Sequence, residues 1–186
     1  MEHDRAKALV RTILAHAEAF PWRMQDVGLL GLWLDDRRQH RLHLWAPEDM
    51  AGDPPNHDHP FDFTSTVVVG ELVNTRYLEH ASGTEYVRER YVVGNEDDRR
   101  VDTIRLEGAA TVLGEGESYG QLADELHDSR QAPGTVTLIR FASKDVSGAE
   151  LTLCHRPDVP WTSGQAREAR PDEVKRITAA ALAHFA

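Results

Sequence analysis

The chain is short of the residues that would staple it, anchor it or give it positive charge. A single cysteine, Cys154, stands among 186 residues, which excludes a disulfide within the chain. No run is long and apolar enough to cross a bilayer. The stretch Met1-Glu2-His3-Asp4-Arg5 does not lead into the apolar core of a secretion signal, so a cytoplasmic location is expected. Lysine and arginine number 21 against 31 aspartates and glutamates, a formal net charge of −10. That balance disfavours phosphate backbones and anionic membranes, so neither nucleic acid nor membrane is an expected partner. There is no solenoid or propeller repeat and no low-complexity tract. The length suffices to bury a core without disulfides, and residues 1–186 read as one domain with extensions at both ends.

Periodicity organises what is there. Leu9, Val10, Ile13, Leu14 and Ala17 at helical spacing predict an amphipathic helix over about residues 5–20, closed by Pro21. A second helix, over about 171–185, opens with Pro171 and the acidic pair Asp172 and Glu173. Between them the pattern is β. Strands are expected at 29–34 and 41–45, then at 63–69, 72–78, 86–93, 103–106, 110–113, 134–142 and 151–155. Gly70, Gly83, Gly94, Gly108, Gly114 and Gly120 fall in the separators, as at the turns of an antiparallel sandwich or barrel. The charged run 94–100 reads as an exposed loop, and 51–56, with Gly52, Pro54 and Pro55, as a loop leading to a histidine pair. A polar connector follows Pro160-Trp161.

That pair carries the chemistry. His57 and His59 are two positions apart in Asn56-His57-Asp58-His59-Pro60, so on an extended chain both imidazoles point the same way and can reach one metal ion. His127, far downstream, supplies a third ligand from another part of the barrel. A divalent transition metal held by imidazoles with positions left open is a reactive site. His3, His16, His80 and His184 read as ordinary surface or hydrogen-bonded histidines, while His40, His43 and His155 stay open. Cys154, between Leu153 and His155 on a late strand, reads as a small buried hydrophobe.

His57-x-His59, Gly70, a long stretch of strands and then His127 ahead of Gly134-Thr135-Val136-Thr137-Leu138 resemble the two motif halves of the cupin superfamily. The resemblance covers roughly residues 45–142. It implies a mainly β fold, a cupin-type double-stranded β-barrel (jelly roll) with its core at about 29–156 and a helix at each end. It also implies one metal held by His57, His59 and His127. Most metal-binding cupins add a glutamate four or five residues past the second histidine, where this chain has Phe63 and Thr64. A neutral three-histidine face is similar to the thiol dioxygenases, typified by cysteine dioxygenase. Thr64 replaces the cysteine that mammalian-type members cross-link to tyrosine, and Thr137-Leu138-Ile139-Arg140-Phe141 replaces their Ser-x-His-x-Tyr series.

Asp62, three residues past His59, is a candidate fourth ligand or a partner that orients His57 or His59, and Glu71 is a further candidate ligand. Val136, Leu138 and Arg140 share one strand face, so Arg140 is the candidate clamp for a substrate carboxylate, with Arg41, Arg76, Arg88 and Arg90 competing. Tyr119, near His127, is the foremost phenol, beside Tyr77 and Tyr91.

The leading expectation is a mononuclear non-haem Fe(II) oxygenase oxidising a small cysteine-like thiol or amino acid with dioxygen. Asp62, Tyr119 and Arg140 would be the working residues beside the metal. The alternatives are a cupin isomerase or lyase using Zn, Mn, Ni or Fe as a Lewis acid, and a non-catalytic small-ligand-binding cupin. A homodimer through an edge strand is left open.

Overall fold

The computed structural model describes residues 2–25, 27–50, 55–142, 148–159 and 166–185. Helix α1 (Glu2–Ala15) and a 3-10 turn (Ala17–Ala19) lead into β1 (Arg23–Gln25), β2 (Leu29–Trp33) and β3 (His40–Trp45). Then come β4 (Asn56–His57), β5 (Phe63–Val69), β6 (Leu72–Val92), β7 (Asn95–Leu113) and β8 (Ser118–Gln121). The chain closes with β9 (His127–Gln131), β10 (Val136–Phe141), β11 (Glu150–His155), β12 (Arg167–Glu168), α2 (Pro171–Leu182) and a 3-10 turn (Ala183–Phe185).

The strands form two antiparallel sheets, ordered β12-β1-β2-β3-β10-β5-β8 and β11-β4-β9-β6-β7. Inner faces meet where Val67 of the first sheet packs on Leu72 and Leu113 of the second. The fold is a mainly β, cupin-type double-stranded barrel with terminal helices. The outer face of the seven-stranded sheet is covered by both helices. Val10, Ile13 and Leu14 of α1 and Val174, Ile177 and Ala181 of α2 recur at helical spacing and bury against Leu30, Leu32, Leu42, Leu44 and Val136. Burying a side chain such as Ile177, which is fully inaccessible, is worth about 1.5–3 kcal/mol. Leu9, expected on that stripe, points to solvent instead, because the stripe is a single one and Val10 takes the inward position.

The largest departure from the periodic reading is the hairpin β6–β7. The expected strands 72–78 and 86–93 are one strand, and 103–106 and 110–113 are another. Pairing runs from Leu72↔Leu113 to Val92↔Asn95, with irregularities between Glu79 and Thr84 and between Arg90 and Val92. Gly83 and Gly108 therefore lie within strands, and the run expected as a loop at 94–100 is strand from Asn95 onward. The chain reverses at Gly94, whose φ of 86° only glycine adopts cheaply. Gly120 likewise lies inside β8. The short strands β1, β4, β8, β9 and β12 carry too few residues for alternation to register. Positions 51–54 of the expected loop and 160–165 of the connector lie outside the described residues.

Candidate metal centre

Three elements deliver the histidines. His57 ends β4, where it pairs with His127 of β9, and His59 follows two residues later. Asp58, between them, turns the other way: its carboxylate accepts the Thr152 N–H at 2.8 Å, and its own N–H donates to Thr152 O. Pinning Asp58 to β11 fixes His57 and His59 on the barrel side. One nitrogen from each of His57, His59 and His127 lies within 4.8 Å of the others.

The hydrogen bonds define which nitrogens are offered. His57 Nδ1–H donates to Pro55 O at 3.0 Å, and His127 Nδ1–H donates to Asn74 Oδ1 at 2.9 Å. Both rings thus carry the Nε2 lone pair inward, an assignment made from the network. His59 Nε2 and His127 Nε2 are 3.1 Å apart. Nitrogens about 2.1 Å from one ion lie about 3.0–3.4 Å apart, so this pair is spaced for a shared ion. Burial and mutual repulsion hold the rings neutral. Desolvation lowers His57, pushes His59 well below its ordinary value with help from His57 and His127, and takes His127 to about 3. Three neutral, buried and converging imidazoles fit a divalent transition metal.

The surrounding wall is aromatic. His59 stacks on Phe61 with centroids 5.5 Å apart and meets Phe63 edge-on at 5.0 Å; Phe63 also lies 5.9 Å from His127. Phe141 contacts both Phe61 and Phe63 and extends the wall to Trp33.

Cross-strand register sorts the remaining candidates. Trp33, Arg41, Ile139, Ser65 and Tyr119 form one row facing into the barrel. Tyr119 faces the lumen, its hydroxyl 3.4 Å from Ser129 Oγ and its ring 6.1 Å from Phe63, with burial raising its pKa. Arg140 belongs to the next row, His40, Arg140, Thr64 and Gly120, on the outer side. It does share a face with Val136 and Leu138, but that is the face the helices cover. Arg140 lines an outer cleft of about 400 Å³ with Asp62, His40 and Thr64, separated from the histidines by Phe63 and Phe141. The structure thus places Arg140, expected to work beside the metal, on the outer side of the sheet. Asp62 is exposed, its carboxylate accepts the Ala123 N–H at 2.7 Å, and it stands apart from the histidine group, so it neither ligates nor orients the trio here. Glu71 is exposed, and its backbone is tied to Thr135.

The competing arginines divide the same way. Arg88 makes a two-pronged bond to Asp102, which also accepts from Arg90, out on the hairpin. Arg76 stands opposite His127 and donates to Gly120 O, bridging the two sheets at the rim. Arg41 faces inward. Tyr77 donates to Asp128 on the far side of β9, and Tyr91 lies under Arg99 on the hairpin. Cys154 is buried against Ile104 and Leu106, and burial pushes its thiol up to about 12, which leaves it protonated and inert.

Periodicity missed Asn74 and left His43 open. Asn74 is a buried amide inside a strand, which accepts from His127 and from Ser129. A short polar residue in the middle of a strand was its only sequence signal. His43 is buried on the inner face of β3, its Nε2 without a hydrogen-bond partner.

No protein-family model and no curated protein matches this chain. Among solved structures, it is similar to Drosophila melanogaster CENP-C bound to CAL1, at 12% identity and a TM-score of 0.43, covering 76% of this chain and 100% of that one. It is also similar to the Drosophila melanogaster CENP-C cupin domain, at 11% identity and a TM-score of 0.30, covering 83% and 98%.

Proposed function

We propose that this chain is a mononuclear metal protein that acts on a small molecule, and that its activity is Fe(II)-dependent oxidation of a small thiol or amino acid. The carrying observation is the neutral three-imidazole face of His57, His59 and His127, a group that no carboxylate oxygen of the described residues joins. When bound, the metal supplies adjacent open positions at which a substrate donor and dioxygen are held side by side. The chain's own part is to hold the Nε2 lone pairs of His57 and His127 inward through Pro55 O and Asn74 Oδ1. The aromatic wall excludes water from the site, and Tyr119 presents a neutral phenol to the lumen.

The test is metal analysis of untagged protein followed by oxygen consumption after anaerobic Fe(II) loading, with and without small thiols. Near-stoichiometric metal, lost in His57→Ala and His127→Ala, with thiol-dependent oxygen uptake supports the reading. Fully loaded protein that consumes no oxygen with any small thiol would sink the oxygenase activity.

A second reading has a specific observation in its favour. Asp62 and Arg140, the acid and the cation expected beside the metal, both lie outside the lumen. A barrel whose metal site has few partner groups for proton transfer suits ligand binding or simple Lewis-acid work. Ligand-induced changes in the metal's spectrum without turnover would favour it.

A further inference from the structure

The outer face of the five-stranded sheet, behind the strands that carry the histidines, holds two buried polar groups with nothing to bond. The antiparallel pairing of His57 with His127 sets Asn56 opposite Asp128 at the next position, and alternation turns this second pair away from the lumen. Asn56 and Asp128 are each only 5% exposed, so water does not satisfy them from the surface. Asn56 Nδ2 and Asp128 Oδ1 are both without a hydrogen-bond partner among the described residues. Buried amides and carboxylates are almost always bonded, because burial takes away the water that bonded them in the unfolded chain. An unmet donor beside an unmet acceptor makes a recognition pair.

Both groups line one cavity of about 70 Å³, together with Tyr77, Tyr86, Cys154 and Val159. Cys154 is the cross-strand partner of Asn56 and is fully buried, so it belongs to the floor. Tyr77 donates to the other carboxylate oxygen, Asp128 Oδ2, at 3.0 Å, which holds the carboxylate in place and leaves Oδ1 for the cavity. Tyr86 stands nearly edge-on to Tyr77, ring centres 6.2 Å apart. Val159, 40% exposed, is at the mouth. The volume is roughly twice the 30 Å³ share of one water, so it admits an end group of a few heavy atoms. That group is neutral: an anion would face Asp128, and a cation would face Arg130 and Arg156, which line the same cavity.

We propose that this cavity is a second ligand site, on the opposite side of the sheet from the metal, and that it takes the carboxamide end of a small neutral molecule. The amide N–H donates to Asp128 Oδ1 and the amide carbonyl accepts from Asn56 Nδ2, with the tyrosine rings walling its flat faces. An amide carries its donor and its acceptor on neighbouring atoms, which suits two partners standing on two neighbouring strands. A hydroxyl would do no more than a water in the same place, so it gains little by displacing one.

Four probes of similar size isolate the chemistry: acetamide, which donates and accepts; acetone, which only accepts; methylammonium, which only donates; and ethanol. The ¹⁵N-labelled full chain is titrated with each, and dissociation constants are read from amide shifts. Acetamide should move the resonances of Asn56, Asp128 and Cys154 with a millimolar constant, and the other three should bind about tenfold or more weakly, the scale of one hydrogen bond. The constants should be the same in metal-free and Zn(II)-loaded protein, since the sheet lies between the two sites. Asn56→Leu should abolish binding yet unfold no earlier in urea, because an unpartnered buried amide gives way to an apolar group of similar shape. Val159→Trp, a change at the exposed mouth, should also block acetamide and decides the matter if Asn56→Leu does not fold. No acetamide binding to wild type, ethanol or acetone binding as well as acetamide, binding only with metal, or binding that survives both substitutions overturns the assignment. An Asn56→Leu chain that unfolds earlier than wild type overturns it too, by showing that the amide is already satisfied within the fold.

Discussion

His127 of β9 reaches diagonally to Asn74 of β6, with the imidazole Nδ1–H donating to the amide oxygen at 2.9 Å. Both are buried, and the same oxygen also accepts from Ser129 Oγ at 3.3 Å. That single bond fixes the tautomer, because a proton held on Nδ1 leaves Nε2 as the donor to a metal.

Asn74→Ala should therefore fold but bind metal about 10–100-fold more weakly, the usual effect of losing a ligand's orienting partner. Competition against a chromophoric chelator measures this directly. Asn74→Asp, which still accepts from Nδ1–H, should lose far less. Equal affinities in wild type and Asn74→Ala would mean that the bond does not set the ring.

How much of this was legible in the sequence depends on element length. Strand β5 was read at its observed limits, because seven residues with inward Phe63, Ser65 and Val67 give alternation enough to see. The trio was legible because His57 and His59 are two positions apart and His127 precedes the Gly134-Thr135-Val136-Thr137 run that the resemblance requires. The side on which Arg140 lies was not legible, because a strand's two faces can be separated by alternation but which face is inner depends on what packs there. Helices α1 and α2 take the Arg140 side, and only tertiary structure shows that. Asn74 came into view when the register of neighbouring strands was known.

Gly70 reverses the chain between β5 and β6 with φ of 87°. A Cβ there would stand 2.4 Å from Thr135 Oγ1 and 2.9 Å from Thr135 Cα. Thr135 Oγ1 is the atom that bonds the Glu71 backbone, so it has no room to retreat. Gly70→Ala should cost about 2 kcal/mol or more, combining left-handed strain with this close contact. Urea unfolding should show an earlier midpoint with an unchanged slope.

Glu173 anchors the start of α2. Its carboxylate accepts two bonds from Arg167, at 2.8 and 2.5 Å, and the Arg170 N–H at 2.9 Å. The Arg167 bonds above all, with the Arg170 N–H, take its pKa down to about 2. The carboxylate is buried, but the two guanidiniums are 44% and 66% exposed, so solvent screens much of the attraction. Glu173→Ala should then cost about 2 kcal/mol, mainly from the lost bonds at the helix start. A folded pKa below the unfolded one means that the contribution is present above about pH 4.5 and is lost as pH falls through about 2. The stability difference between wild type and Glu173→Ala should shrink over that window and stay constant from pH 5 to 7.

Acid should act on the metal centre before it reaches Glu173. The folded chain keeps His57, His59 and His127 neutral below their ordinary value of 6.5, with His127 held down to about 3. The unfolded chain has no such constraint and takes up protons on all three once pH drops below 6.5. The unfolded state therefore binds more protons across that range, and stability must fall as pH falls. The metal-free protein should lose stability steadily from about pH 7 downward, measured by urea unfolding at a series of pH values. Bound Zn(II) or Co(II) should add stability at pH 7, since metal binds the folded site in preference to the unfolded chain. That increment should decline as pH falls far enough for protons to compete for the imidazoles of the folded site. Replacing His127 with glutamine removes one such group, so the variant's acid slope should be shallower while its stability at pH 7 no longer responds to metal. An acid slope identical in wild type and His127→Gln would show that these imidazoles titrate as they do in water, contrary to their burial.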